Sequence, residues 1–322
     1  MNWLFVGGMF DDVGGRASGY FGKLWQAVAA LYPGANTFVV NGGKFSKLAD
    51  LATYKATHIV WMVDVSNEYE KLLPSIMEAN PGAVLIQSKS NIGGRYSREQ
   101  LFARMRASGA EMLIEFDRGC VGHITAGLLS VSGRYIGYSG SDIGNLAADI
   151  GIEVDRIGSL LYPLRREKKL LPVKDHPGAF GVVRKNHVHE GVDLYGEVGE
   201  SVDAMETGIV VGLYQFTGED VGSPWWNDTF CVLVAGESGV INYGEIHPWS
   251  PDWVKVGDTI ERGAQVGTLL SVLKKDKGKP MTMLHIERYV IGTKRHIDSW
   301  DLDKVWPAKL LDPTVLLRSA ML

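Results

Sequence analysis

The chain has few cysteines, no long apolar run and no strong excess of charge. Only two of its 322 residues are cysteine, Cys120 and Cys231. They lie far apart, so we expect two small apolar side chains rather than a disulfide. No segment is apolar over the roughly 20 residues that a membrane-spanning helix needs. The net charge of −4 gives no general attraction to nucleic acid or to an anionic membrane, so neither is expected as a partner.

The first residues also lack the features of a secretory signal peptide. Residues 1–8 contain no basic segment, and their apolar run is too short for the core of such a peptide. We therefore expect synthesis in the cytoplasm without a signal peptide.

The chain is long enough for two domains, and its first half alternates strand-like and helix-like segments. Period and composition predict strands at residues 3–8, 37–40, 58–63, 83–87 and 112–116. They predict helices at residues 20–31, at 68–80 with an interruption at Pro74, and at 97–108, ended by Gly109. Residues 1–162 are therefore predicted to form an α/β, Rossmann-like domain with a parallel sheet and helices on both faces.

The rest of the chain has a different pattern. In residues 176–322, short runs rich in β-branched residues alternate with glycines, as in Gly208-Ile209-Val210-Val211-Gly212. This pattern predicts an all-β, antiparallel domain with tight turns. The intervening residues 163–175 are charged and contain Pro163 and Pro172, which indicates a linker.

The N-terminal domain carries one weak functional signal. A glycine-rich loop at residues 11–19 lies between a predicted strand and helix, where open α/β sheets bind ligands. Asp11, Asp12 and Arg16 are the candidates if a phosphate or metal binds there, and a second glycine loop at residues 91–95 follows the fourth strand. The loop is not G-x-G-x-x-G, and the domain only faintly resembles nucleotide-sugar or phosphopantothenoylcysteine-synthetase-like sheets. A scaffold whose glycines make tight turns is the favoured interpretation.

Residue types that bind metals are concentrated in two segments of the C-terminal domain. These are His189-Glu190-Gly191-Val192-Asp193 and Leu284-His285-Ile286-Glu287. Imidazole nitrogens and one carboxylate oxygen suit zinc, and three protein ligands leave a fourth position open for water or substrate. The alternative is that these are ordinary polar residues of a core or a surface.

Five segments in matching order resemble the LytM/lysostaphin-type zinc peptidases, β-rich domains that cut peptide cross-links of bacterial cell walls. They are residues 189–193, 199–210, 243–246, 256–267 and 283–287. The resemblance implies one zinc ion per chain, bound by His189, Asp193 and His285. Glu287 is interpreted either as a residue that orients a ligand histidine or as a polar strand residue. His187 is interpreted as a strand neighbour that shares a face with His189.

The chain departs from this family at two positions that matter for catalysis. The resemblance implies histidines that position water and stabilise the oxyanion, and here these positions are Glu245 and Met283. Methionine has no proton to donate. Glu245 could act as a general base on zinc-bound water, but it can donate to an oxyanion only if its pKa is raised. Little or no activity by the usual mechanism is therefore expected.

A degenerate subgroup, the leukocyte cell-derived chemotaxins, shares this pattern: it keeps the metal ligands and lacks a catalytic histidine. The chain resembles this subgroup in Gly267-Thr268-Leu269-Leu270, in His285-Ile286-Glu287 and in Leu311-Asp312-Pro313-Thr314. Met283 is a further departure.

Tryptophans are the candidate ligand-stacking residues near the predicted groove. They are Trp225, Trp226, Trp253 and Trp300. Burial in the β-domain core is the favoured interpretation for any single one. The Trp225-Trp226 pair follows Gly222-Ser223-Pro224, and a turn there would expose at least one ring.

Three functional hypotheses follow. The first is a zinc-binding, catalytically impaired LytM-type module that binds peptidoglycan peptides or a protein partner, with a virion-associated place in a bacteriophage suggested by the missing signal peptide. The second is an active zinc endopeptidase that uses Glu245. The third is a nucleotide-dependent N-terminal enzyme that the β domain targets. The sequence leaves the oligomeric state open.

Overall fold

The computed structural model describes residues 1–7, 18–41, 54–62, 71–90, 96–118, 124–138, 143–165, 171–248, 254–275, 278, 280–297 and 299–321. The chain divides into two units, Met1–Arg156 and Ile157–Leu322. No helix within these described ranges is long and apolar enough to cross a membrane. Several predicted positions lie outside the described residues: Asp11, Asp12, Arg16, the loop at 91–95, Cys120 and Trp253.

The first unit is built on a mixed seven-stranded sheet in the order β2-β1-β3-β4-β5-β6-β7. Its strands are β1 Asn2–Gly7, β2 Asn36–Asn41, β3 His58–Met62, β4 Val84–Ser90, β5 Met112–Arg118, β6 Ile124–Ser130 and β7 Tyr135–Tyr138. Its helices are α1 Ser18–Leu31, α2 Leu73–Ala79, α3 Arg98–Ser108 and α4 Ile143–Gly158. Neighbouring strands from β1 to β5 run parallel, which confirms that part of the prediction.

The prediction of a wholly parallel sheet is wrong at one edge. Strands β6 and β7 are antiparallel to their neighbours. Only residues 119–123 separate β5 from β6, and only residues 131–134 separate β6 from β7. A parallel connection needs a crossover of about a dozen residues or more, so links of this length permit hairpins alone.

Helix ends in this unit follow local chemistry. Ser97 caps α3 by accepting from the backbone N–H of Gln100, and the Gln100 side chain accepts in return from the Ser97 N–H. Gly109, with φ +70°, ends the helix in the left-handed conformation that glycine adopts without strain. Helix α2 starts at Leu73, beside Pro74, because proline suits a first helical turn and not a helix interior. Residues 68–70 of the predicted helix lie outside the described residues.

The core of this unit includes a buried aromatic stack at one end of β1 and β3. The rings of Trp3 and His58 stack with centroids 4.5 Å apart, and both side chains are buried. The Nδ1 atom of His58 lies 2.8 Å from the hydroxyl of Thr57. Burial, together with the charge of the N-terminal amino group, lowers the pKa of His58 to about 4.

The second unit is an antiparallel β structure, as predicted. Its strands are β8 Val192–Tyr195, β9 Ser201–Asp203, β10 Gly208–Thr217, β11 Thr229–Gly236, β12 Gly239–Pro248, β13 Thr259–Ile260, β14 Gln265–Leu269, β15 Met283–Tyr289 and β16 Leu310–Leu311. They form one sheet in the order β13-β10-β11-β12-β14-β9, and β15 joins β12 to β8 and β16. A short helix, α5 Thr314–Ser319, follows Asp312, whose carboxylate accepts the N–H of Thr314.

The tryptophans of this unit divide between core and surface. Trp300 and Trp306 pack with Phe180 against a buried cluster that contains Cys231, which is a free thiol. Trp225 is 63% exposed, in agreement with a turn that presents one ring of the pair.

Candidate metal centre

Strand pairing brings the three predicted metal ligands together. Asp193 on β8 lies directly opposite His285 on β15. His189 stands just before β8, where its backbone N–H donates to Val182 O and its carbonyl accepts from Gly181 N. All three side chains are buried, and one ligand atom of each lies within 4.8 Å of the others. The group therefore has the composition and proximity of a metal site.

Gly191, at the centre of the His-x-Gly-x-Asp segment, allows this close approach. A Cβ atom at Gly191 would lie 2.5 Å from Ile286 O and 2.7 Å from His285 Nε2. Both distances are far below van der Waals contact, so a side chain here would displace β15 or the His285 ring. The glycine of this segment is thus required by the position of a ligand on a distant strand.

The three ligand atoms are spaced as a tetrahedral ion requires. His189 Nε2 lies 3.1 Å from Asp193 Oδ1, His285 Nδ1 lies 2.8 Å from the same oxygen, and the two nitrogens are 3.2 Å apart. Zinc bonds of about 2.0–2.1 Å in a tetrahedron place ligand atoms about 3.3 Å from one another. The residues present therefore fit a zinc ion with little adjustment.

Hydrogen bonds behind the two rings determine which nitrogens face the group. His189 Nδ1 lies 2.8 Å from Ala179 O, a pure acceptor, so this nitrogen carries the proton and Nε2 presents its lone pair. His285 Nε2 lies 3.3 Å from Glu287 Oε1, which in the same way leaves Nδ1 as the ligand atom. Glu287 is itself held, since its Oε2 accepts from Asn242 Nδ2 at 2.5 Å and from the Tyr289 hydroxyl at 2.9 Å.

The charges of Asp193 and the two ligand histidines affect one another's pKa values. Burial alone would raise the pKa of Asp193, but hydrogen bonds from His189 and His285 hold it well below its usual range. Burial alone would lower the pKa of His285, but Asp193 and Glu287 raise it well above its usual range. The carboxylates thus stabilise positive charge at the point where the ligand atoms meet, the condition that a cation needs.

Arg184 is a further cation at this site. Its Nη2 donates to Asp193 Oδ2 at 2.6 Å and to Pro177 O at 2.8 Å. Oδ2 is the oxygen that points away from the histidines, so Arg184 leaves only Oδ1 of Asp193 for a metal. No sequence pattern marked this residue.

Glu245 occupies an irregular position in β12. The register between β11 and β12 shifts there, so that Gly244 and Glu245 together oppose Cys231. Glu245 has φ +60°, which is uncommon for a residue with a side chain. At this point β12 changes partners, from His285 on β15 to Leu269 on β14. A bulge of this kind redirects a side chain. Here it directs Glu245 into a cleft that His189 and His285 also line.

A cleft of about 260 Å³ opens at the metal group. Its described lining residues are Arg184, His187, His189, Glu190, Phe216, Thr217, Ser223, Trp226, Glu245, His285, Glu287, His296, Ile297 and Ser299. The lining thus includes residues that the sequence analysis singled out: the ligand histidines His189 and His285, Glu245 and Trp226. Met283 is absent from this described lining and lies half-buried at the start of β15, opposite Tyr195.

The carboxyl group of Glu245 is buried and incompletely paired. Its Oε2 has no hydrogen-bond partner among the described residues. Burial and the negative charge of Asp193 raise the pKa of Glu245 to about 8, and the charges of His285 and Arg184 work against that rise. Without a bound cation, Glu245 is therefore mostly a neutral acid at pH 7, with one proton to donate.

Besides Arg184, the sequence analysis missed two aromatic lining residues, Phe216 and His296. Phe216 on β10 packs against the His285 ring with centroids 5.5 Å apart, and its ring centroid also lies 5.0 Å from that of His296. The sequence pattern noted in this region ended at Gly212, short of Phe216, and His296 follows β15 in a segment without a recognisable pattern.

Comparisons with known proteins give partial structural likenesses at low sequence identity. No protein-family model and no curated protein matches the chain. Among solved structures, the DNA/pantothenate metabolism flavoprotein from Streptococcus pneumoniae aligns with 48% of this chain and 98% of its own, at 13% identity and a TM-score of 0.36.

Two further solved structures align with more than half of this chain, and one of them is described as LytM. A protein from Ruminococcus gnavus described as a glycyl-glycine endopeptidase, LytM, aligns with 54% of this chain and 66% of its own, at 16% identity and a TM-score of 0.33. Helicobacter pylori Csd3 aligns with 62% of this chain and 50% of its own, at 15% identity and a TM-score of 0.28. The chain thus spans about half the length of Csd3.

Proposed function

We propose that the C-terminal unit is a LytM-type domain that binds one zinc ion through His189, Asp193 and His285. We further propose that it serves as a binding module rather than as a peptidase of the usual mechanism. The observation that carries the metal proposal is the convergence of two imidazole lone pairs and Asp193 Oδ1 at 2.8–3.2 Å from one another. The five ordered motifs support assignment to the LytM family.

The donor set favours zinc over harder cations. Two imidazole nitrogens and one carboxylate oxygen suit zinc, whereas magnesium and calcium prefer oxygen ligands throughout. When bound, zinc supplies a Lewis acid that polarises a carbonyl oxygen or acidifies a water. The chain contributes fixed tautomers, through Ala179 O and Glu287, and a cleft lined by His189 and His285.

Impaired catalysis follows from the two substituted positions. Met283 offers no proton donor, and it is not among the described residues that line the cleft. Loss of one oxyanion donor alone costs about 10²–10³ in rate. We therefore propose that the cleft binds peptides, with peptidoglycan peptides as the ligand class that the motifs support.

A second function is favoured by one observation, the position of Glu245. Its buried carboxyl group lines the same cleft as the ligands and has an unpaired oxygen among the described residues. A bound cation would lower its pKa and favour the carboxylate, which is the form that accepts a proton from water. An endopeptidase with Glu245 as its general base is therefore the alternative.

Metal content is the experiment that tests the first proposal. Purified wild-type protein, His285→Ala and His187→Ala are supplied with zinc, desalted and analysed by mass spectrometry. His187 lines the cleft but does not belong to the ligand group, so it is the matched control. We expect about one zinc per chain in the wild type and in His187→Ala, and almost none in His285→Ala. A wild type without zinc would refute the site.

Hydrolysis of purified cell walls separates the two functions. The zinc-loaded wild type should release no new amino groups if the domain is a binding module. Release that disappears in Glu245→Gln, which keeps a donor but loses the base, would instead establish the endopeptidase. The third hypothesis, a nucleotide-dependent N-terminal enzyme, depends on Asp11, Asp12 and Arg16, which lie outside the described residues. Nucleotide binding lost in Arg16→Ala would support it.

A further inference from the structure

We propose that Arg184 and the open metal position together bind the terminal carboxylate of a peptide, so that the cleft recognises a free peptide C-terminus. The inference rests on the proposed zinc site and goes beyond it, because it assigns a ligand group to a residue that no motif includes. Arg184 lines the cleft and contacts the metal ligand Asp193, which places its guanidinium beside the metal group.

The guanidinium of Arg184 keeps donors for a ligand. Both of its contacts with described residues, Asp193 Oδ2 and Pro177 O, use the same atom, Nη2. The donors on Nε and Nη1 have no partner within the described part of the chain, and the side chain is 32% exposed. The two contacts fix the plane of the guanidinium, so the remaining donors are oriented before a ligand arrives.

Charge at the cleft favours an anion at this point. Arg184 is the only arginine or lysine among the described lining residues. Two acidic lining residues already accept hydrogen bonds from other parts of the chain. Glu287 is held by Asn242 and Tyr289, and Glu190 Oε1 accepts from Trp300 N at 2.7 Å.

A terminal carboxylate satisfies both partners at once. One oxygen can occupy the open position of a three-ligand metal site, and the planar guanidinium forms charge-assisted hydrogen bonds with the carboxylate. A terminal amide has one acceptor oxygen and no charge, so it cannot form the charge-assisted hydrogen bonds with the Arg184 guanidinium. The cleft should therefore distinguish a peptide acid from the corresponding amide.

The test compares three acetylated probes on zinc-loaded protein by calorimetry. They are Ac-Gly-Gly-Gly with a free carboxylate, the same peptide as its amide, and Ac-Gly-Asp-Gly-amide, which carries an internal carboxylate. Acetylation removes the amino group that would otherwise chelate zinc. We expect the wild type to bind the free acid about tenfold more tightly than the amide, or better, because charge-assisted hydrogen bonds are involved. The internal carboxylate should bind no better than the amide.

Three variants assign the preference to Arg184. Arg184→Gln should reduce the acid-to-amide ratio to about twofold or less, since a neutral amide replaces a charged donor. Arg184→Lys should give a reduced ratio, because it keeps the charge without the planar fork. Lys185→Gln removes a neighbouring exposed charge and should leave the ratio unchanged. Zinc content is measured for every variant, so a variant that loses the metal is recognised. If Arg184→Gln loses zinc, the acid-to-amide ratio of Arg184→Lys tests the role of Arg184 instead.

Several outcomes would overturn the inference. The inference is wrong if the zinc-loaded wild type binds Ac-Gly-Gly-Gly and its amide equally tightly. A full preference in zinc-loaded Arg184→Gln, or in Arg184→Lys if the former loses zinc, would assign the carboxylate to the metal alone. Equal binding of the internal carboxylate would remove the specificity for a C-terminus. A wild type without zinc would contradict the proposed function, which the metal content reports separately from the binding ratio.

Discussion

Glu287→Gln tests whether the hydrogen bond behind His285 determines metal binding. In the wild type, Glu287 Oε1 lies 3.3 Å from His285 Nε2 and keeps the proton on that nitrogen. Oε2 accepts from both Asn242 and Tyr289. Asn242 faces Glu287 across the β12–β15 ladder, so the variant's amide oxygen should keep these two donors and its NH2 group should face His285.

An NH2 group at that point favours the wrong tautomer of His285. It donates to Nε2 and therefore transfers the ring proton to Nδ1, the atom that lies 2.8 Å from Asp193 Oδ1 and would bind the metal. Loss of such partners of ligand histidines typically weakens metal binding about 10–100-fold, which corresponds to about 1.4–2.8 kcal/mol. Zinc affinity measured by competition with a chromophoric chelator at pH 7.5 reports the change.

The control for this prediction is Glu190→Gln. Glu190 lines the same cleft, but its contact is with Trp300 N rather than with a ligand histidine. We expect its zinc affinity to stay within about threefold of the wild type, since it lies outside the hydrogen bonds that orient the ligands. Unchanged affinity in Glu287→Gln, with the fold intact by circular dichroism, would show that Glu287 is only a polar strand residue.

Two other predictions concern the backbone at the site and the N-terminal sheet. Gly191→Ala places a Cβ 2.5 Å from Ile286 O, so we expect weaker zinc binding and a loss of about 1–3 kcal/mol of stability; normal metal content and an unchanged melting temperature would contradict this. The pKa of His58 is about 4 in the folded protein and 6.5 when unfolded, so only the unfolded state gains its proton between these values. The contribution of His58 to the free energy of unfolding is therefore fully present above pH 6.5. It falls by about 3 kcal/mol as the pH drops to 4. Hydrogen exchange of the β1 and β3 amides should show this loss, and His58→Asn should show a smaller pH dependence; equal dependences would refute it.

Some features of the fold follow from local sequence, and others do not. The strands β1 to β5 and the ends of α3 could be predicted because apolar periodicity, Ser97 and Gly109 act over a few residues. Helix α4 was missed, although Leu146, Ile150, Val154 and Ile157 recur at helical spacing and are buried. To predict that β6 and β7 are antiparallel, one needs the lengths of the connections between the strands. Those lengths are known only once the strand ends are known.

The sequence by itself determined which residues could hold a metal, because ligand type and motif order are properties of the chain. Only the tertiary structure decided how they meet. The register that sets Asp193 opposite His285 brings ligand atoms 92 positions apart to within 2.8 Å. The contact of Arg184 with Asp193 and the burial of Glu245 in a bulge likewise depend on the packing of separate segments. Burial and neighbouring charge control protonation and hydrogen bonding, and neither can be obtained from residue identity alone.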